Sequence, residues 1–218
     1  MEFSYNHIAG QSRERLAAIS DGIFGVAMTL MLLELHTPAA ATVHGEWDLL
    51  LAMKGLGPAF LVYLMSFMTL GIFWIGQQSQ LNHLDRSDRH LTWLHLGFLF
   101  AVTIVPLSTR LLTEFIQLRA ALLLYWLNLL LLGTVLHICW RYTLRNGLVA
   151  EDVPEEVKGA ICGRIVNAQM LYAAGAALCV VSTYWSIGFI VLVQLNYVVA
   201  PRMWRTRQAA AVEAAEEE

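Results

Sequence analysis

The sequence predicts an all-α integral membrane protein built from one bundle of six transmembrane helices. Three observations predict it. Apolar residues make up 57% of the 218 positions and charged residues only 14%, whereas a soluble domain needs about a quarter of its residues charged to cover its surface. Apolar runs near 20 residues, the length that crosses a hydrocarbon core, recur along the chain. The basic residues between those runs are strongly biased to one side.

The runs are 17–35, 49–76, 91–112, 120–140, 165–183 and 184–200. The last two are separated only by a tight Thr183-Tyr184-Trp185-Ser186 hinge, which reads equally as the turn of one buried hairpin with Tyr184 and Trp185 at the membrane interface. With six spans and the N-terminus inside, the cytoplasmic side carries eleven basic residues: Arg13, Arg15, Arg86, Arg89, Arg141, Arg145, Lys158, Arg164, Arg202, Arg205 and Arg207. The other side carries three, Lys54, Arg110 and Arg119. The positive-inside rule therefore predicts a multi-pass protein with both termini cytoplasmic. Residues 1–205 form the membrane domain, and 206–218, which ends in Glu216 to Glu218, forms an acidic cytoplasmic tail. A cleaved signal sequence fits poorly, because Asp21 and Glu34 interrupt and flank the first run. Within the loop 141–164, Pro154 followed by Glu155 and Glu156 predicts the first turn of a short helix.

The same composition excludes several functions. A net charge of −3 points to no nucleic-acid partner. Cys139, Cys162 and Cys179 have no metal-ligand or dithiol spacing, and the seven histidines form no HxxxH or HExxH pair, so neither a metal nor another cofactor is expected. No nucleophile elbow, phosphate-binding glycine loop or paired aspartate motif is present, and the chain reads as a non-enzyme.

The first run is the most informative. Asp21 sits within apolar sequence, where an uncompensated carboxylate costs roughly 2.5–3.5 kcal/mol on insertion scales. At about 100° per residue, Val26, Leu30 and Leu33 share a branched apolar face extended by Ile19, Gly22 and Ile23, with Thr29 at its edge. Asp21, Gly25, Met28 and Leu32 fall on the other side. From periodicity alone the apolar face meets lipid, and Asp21 pairs within the bundle, with Arg15 or a polar residue of another helix. Ser20, Asp21, Gln77 and His95 lie near the same ends of their spans and can meet in one network; Tyr63, Ser66, Ser108 and Thr109 are further polar groups at membrane depth that need partners.

Arg15-Leu-Ala-Ala-Ile19-Ser20-Asp21 resembles the RxxxFSD signature of the transmembrane protein 175 family, the lysosomal potassium channels and their prokaryotic relatives. GIFGVAMTLMLLEL, Tyr63 to Phe67, Trp74, Asp88-Arg89-His90-Leu91 and Pro106-Leu107-Ser108-Thr109 resemble that family's first three spans in order and spacing. The resemblance implies a cation channel without a TVGYG filter, its pore lined by the first helix of each repeat. A chain with one repeat resembles the prokaryotic branch, which implies a homotetramer in the cell membrane. It places the constriction at Val26, Thr29, Leu30 and Leu33, and the signature network at Arg15, Ser20, Asp21, Trp74, Gln77 and His95. On that reading the apolar face lines the pore, potassium is the permeant ion, contacted transiently near Thr29, and potassium is modestly preferred over sodium. Ile19 stands where the signature has phenylalanine, Gln77 where the family usually has histidine, and His95 where it has asparagine. Two rivals remain open: a proton-coupled transporter using Asp21 and His95, and a membrane scaffold that docks partners through its acidic tail.

Overall fold

The computed structural model describes residues 12–33, 35, 37–39 and 43–198. Its helices are α1 (Arg13–Leu33), α2 (Glu46–Gly55), α3 (Gly57–Asn82), α4 (Arg89–Glu114), α5 (Arg119–Arg145) and α6 (Glu155–Ala177), then a 3-10 turn at Leu178–Val180 and α7 (Thr183–Val198). Four of them, α1, α3, α4 and α5, are long and apolar enough to cross a membrane. The protein is a multi-pass membrane protein. α6 begins with Glu155, Glu156 and Lys158 and contains Arg164, which lowers its mean hydropathy, and α7 is short. The acidic tail and Arg202, Arg205 and Arg207 lie outside the described residues, as do Glu34 and the end of the 184–200 run.

The helices depart from the apolar runs in three places. The run at 49–76 is divided at Leu56, which follows α2 and precedes the Gly57-Pro58 start of α3. Proline suits a first helical turn, where its missing N–H costs nothing, and α3 then continues past the run's polar exit to Asn82. The helix that starts after Pro154 is not short. It runs unbroken into the fifth apolar run, because nothing between Glu155 and Ala177 stops it. The reversal after it falls at Leu178–Ser182, one turn before the Thr183–Ser186 hinge read from the sequence. Ser186 already sits in α7 and donates its hydroxyl to the Gly175 carbonyl. Gly175 permits that approach, since a Cβ there would lie 2.9 Å from Ile190 Cγ1.

α1 buries Leu16, Ser20, Phe24, Ala27 and Met31, a stripe at helical spacing that packs on α3 and α4. Phe24, Phe73 and Phe98 meet with ring centroids 6.0 and 6.4 Å apart at this junction. The core continues through Met65, Val102, Val105, Leu122 and Tyr125 toward α5. Asp88 caps α4 by accepting from the Leu91 N–H at 2.7 Å and also accepts from the Tyr142 hydroxyl at 2.7 Å, so this member of the charged turn ties α4 to α5. α5 ends at Asn146-Gly147, where Gly147 adopts a left-handed φ of 60° and the Leu148 N–H returns to the Thr143 carbonyl.

Candidate functional site

Two features of α1 form the candidate site: a face left open by the protomer and a polar belt that fixes the helix. Val26 is 58% exposed, Leu30 46% and Leu33 77%, so none of the three packs into the protomer. The open face borders α4 across an apolar groove of about 370 Å³, where Val26 and Leu30 stand opposite Thr103 and Pro106. The buried stripe through Phe24 is a third face of α1 that the two-face sequence reading did not separate. It could have been found by testing which face carries aromatic bulk.

Thr29 lies at the edge of the open face. Its hydroxyl donates back to the carbonyls of Gly25 at 3.0 Å and Val26 at 2.9 Å. The proton is thereby committed to the helix, and the lone pairs of Oγ1 remain available on the exposed side.

The polar belt begins at Ser20, whose hydroxyl donates to the Leu16 carbonyl at 2.8 Å and accepts from Gln77 Nε2 at 2.9 Å. One residue on, Asp21 Oδ1 accepts from Trp74 Nε1 at 2.7 Å and from Gln78 Nε2 at 2.8 Å. Trp74 and Gln78 are four residues apart on α3 and present one face to α1. The carboxylate is therefore held by neutral donors of another helix. Arg15 is not its partner; the nearby Arg13 guanidinium instead donates to the Leu84 carbonyl at 2.6 Å. Gln78 was not placed in the network from the sequence, although its i,i+4 relation to Trp74 carried the signal.

His95 is buried, but its Nδ1 meets the Leu91 carbonyl of its own helix at 3.1 Å, and it makes no hydrogen bond to Ser20, Asp21 or Gln77. The predicted network is thus four of its members, Ser20, Asp21, Trp74 and Gln77, with Gln78 added; Arg15 and His95 stand outside its hydrogen bonds.

A second buried polar cluster lies deeper. Thr109 donates to Ser66 at 2.8 Å, Ser66 to the Tyr125 hydroxyl at 3.3 Å, and Gln194 Nε2 to Thr69 at 2.6 Å, while Thr69 and Tyr125 share a bond of 3.0 Å. The sequence flagged Ser66 and Thr109 but not Tyr125 or Gln194, whose tyrosine and amide groups are hidden in otherwise apolar runs. Tyr63 stands apart from this cluster, its ring beside Phe60 and Phe67. No group of three potential metal ligands occurs among the described residues.

Residues 15–106 match the family described as endosomal/lysosomal potassium channel TMEM175. A potassium channel of Streptomyces collinus is 30% identical over 137 residues, covering 61% of this chain and 65% of that protein, just under two thirds of its length. A potassium channel of Chamaesiphon minutus is 28% identical over 178 residues, 80% of this chain and 87% of that one. A crystal structure of a lysosomal potassium-selective channel TMEM175 homolog from Chamaesiphon minutus superposes with a TM-score of 0.74 at 26% identity, covering 86% of this chain and 97% of that chain. The chain resembles the TMEM175 family from α1 into α4. The TMEM175 match runs from α1 to Pro106 and so contains the whole open face of α1 and every member of the polar belt. Ile19, at the signature phenylalanine position, lies on the open face and not in the packed stripe, so this departure leaves the α1 packing untouched.

Proposed function

We propose that this protein is a potassium-permeable cation channel in which four copies place the open face of α1 around one axis. The observation that carries the proposal is the exposure of Val26, Leu30 and Leu33 on a helix whose other side is anchored by Phe24 and by the Ser20–Asp21 belt. A helix held this firmly, yet open along a branched apolar face, is suited to converge on its own copies. The names of the Streptomyces and Chamaesiphon relatives support potassium as the permeant ion.

A ring of Val26 or Leu33 side chains offers no oxygen to replace an ion's hydration shell, so a closed ring gates by dewetting and conduction requires it to widen. Thr29, with its lone pairs outward, supplies the one hydroxyl oxygen on this face and favours potassium modestly over sodium. Six spans, the domain limits 1–205 and 206–218, cytoplasmic termini and a prokaryotic plasma membrane complete the reading, which invokes no cofactor and no enzymatic step. The coupled-transporter alternative is disfavoured because Asp21 and His95 make no hydrogen bond to each other.

Potassium flux from liposomes holding the purified protein, with subunit stoichiometry measured on the same sample, tests this. Electrodiffusive potassium leak from a tetramer, increased by Val26→Ala, is expected. Proton-coupled uptake, or flux unchanged by Val26→Ala and Leu33→Ala together, removes α1 from the pore.

A further inference from the structure

Away from α1, helices α6 and α7 enclose a surface groove of about 600 Å³. Its walls are Met170, Leu171, Leu192 and Val193, and at one end it carries the exposed amides of Asn167 and Asn196 beside Tyr197. Exposed amides that border the apolar walls of Met170, Leu171 and Leu192 need a polar partner, since hydrocarbon supplies none. Arg164 lies one turn from Asn167, is exposed, and stands over the Tyr197 ring at 5.7 Å. It has no carboxylate partner among the described residues.

The depth of this polar end follows from contacts inside the bundle. A small cavity places Arg164 and Tyr197 beside Phe73 and Gly76 of α3. Those residues flank Trp74, whose indole bonds Asp21. The polar end of the groove is therefore level with the polar belt, at the end of the bundle where α1 begins and α7 ends. The apolar walls extend from there toward the membrane interior. In the sequence Arg202, Arg205 and Arg207 follow α7 directly.

We infer that the α6–α7 groove binds one anionic phospholipid, with the headgroup phosphate at Arg164, Asn167 and Asn196 and an acyl chain along Met170, Leu171, Leu192 and Val193. A guanidinium with free donors and two carboxamides matches the oxygens of a phosphodiester, and a basic pocket between helices at the headgroup level is how such lipids are held. The long apolar wall selects a lipid over a soluble phosphate. The site is independent of the pore, so it stands or falls without the channel reading.

Native mass spectrometry of the full chain, released from nanodiscs of phosphatidylcholine with added phosphatidylglycerol, tests it. The wild type is expected to retain phosphatidylglycerol over phosphatidylcholine. Arg164→Gln should lower that preference by about fivefold, and Arg164→Lys should keep most of it. Met170→Trp, which fills the apolar wall and leaves the charge in place, should reduce retention of the same lipid and provides a second reading if Arg164→Gln fails to fold. Equal retention of the two lipids by the wild type overturns the proposal. So does preference unchanged in both Arg164→Gln and Met170→Trp, the result expected if a neighbouring copy covers the groove, or displacement of the lipid by millimolar inorganic phosphate.

Discussion

The Trp74 indole donates to Asp21 Oδ1 at 2.7 Å, and the same oxygen accepts from Gln78, so the carboxyl group inside the first apolar run is hydrogen-bonded by neutral donors and not paired with a cation. Hydrogen bonds to a charged group are stronger than neutral ones, although the partial exposure of both residues reduces the effect. Trp74→Phe keeps the ring and removes the donor. It should destabilise the protein by about 1 kcal/mol, read as a lowered Tm in detergent. In an Asp21→Asn background the same change should cost less, because the partner charge is gone. Equal losses in the two backgrounds would show that the bond contributes nothing.

Ser20 and Gln77 are both buried, and their bond of 2.9 Å joins α1 to α3. Ser20→Ala leaves the Gln77 amide without its acceptor in a dry site, where an unsatisfied donor costs about 1–3 kcal/mol. Gln77→Leu in that background should recover part of the loss. A thermal-unfolding cycle over the four proteins checks this, and strictly additive effects would contradict the pairing.

Much of this arrangement was legible in the sequence, and the illegible parts share one cause. α1, α4 and α5 lie where their apolar runs lie because length and hydropathy are local properties. The belt was foreshadowed because Asp21 and Gln77 are conspicuous in apolar surroundings. Partner choice was not legible: Arg15 is closest to Asp21 in sequence, yet α3 supplies the donors, since which helix faces α1 is decided by packing. The break at Leu56 was missed although Lys54, Gly55 and Gly57-Pro58 mark it, because the apolar residues on both sides keep the average hydropathy of the run high. His95 was assigned to the belt by its depth and by the family resemblance, whereas its hydrogen bond goes to Leu91 of its own helix.

Close packing of α5 on α6 depends on Gly133. The Gln169 side chain crosses directly over it to donate to the Leu129 carbonyl at 3.2 Å, and a Cβ at position 133 would fall 1.8 Å from Gln169 Nε2. Gly133→Ala must therefore expel the amide and break that bond, for a loss of about 1–3 kcal/mol. Shortening the intruding side chain should compensate, so Gly133→Ala with Gln169→Ala is expected to be more stable than Gly133→Ala alone. Thermal unfolding of the three variants would decide it, and no recovery in the double variant would count against the clash.

Pro106 interrupts the backbone ladder of α4, and Asn128 of α5 supports the helix one turn before it. With the amide oriented to satisfy both backbone groups, Asn128 donates to the Ala101 carbonyl at 3.2 Å and accepts from the Val105 N–H at 3.2 Å and the Ser108 hydroxyl at 3.1 Å. Asn128→Leu removes these partners while keeping volume. The expected loss is about 2 kcal/mol, together with faster amide exchange at Val105 and Ser108. Exchange unchanged at those two positions would mean that the α4 backbone before Pro106 holds without α5.

Thr29 offers the sharpest test of what the open face does, because its hydroxyl proton and its lone pairs have separate roles. The proton is fixed on the Gly25 and Val26 carbonyls, so Thr29 presents an oxygen whose orientation is set by the helix. Serine can repeat both bonds, whereas valine keeps the branched shape and lacks the oxygen. If the face lines an ion path, Thr29→Ser should retain potassium conductance and its preference over sodium. Thr29→Val should reduce the preference by a few-fold, since one oxygen dipole of several-angstrom reach is removed from each subunit. Bi-ionic reversal potentials in planar bilayers measure this directly. Because Val and Thr differ in polarity and not in size, a loss confined to Thr29→Val assigns selectivity to the oxygen. Preference unchanged in both variants assigns it to the width of the neighbouring Val26 and Leu30 ring.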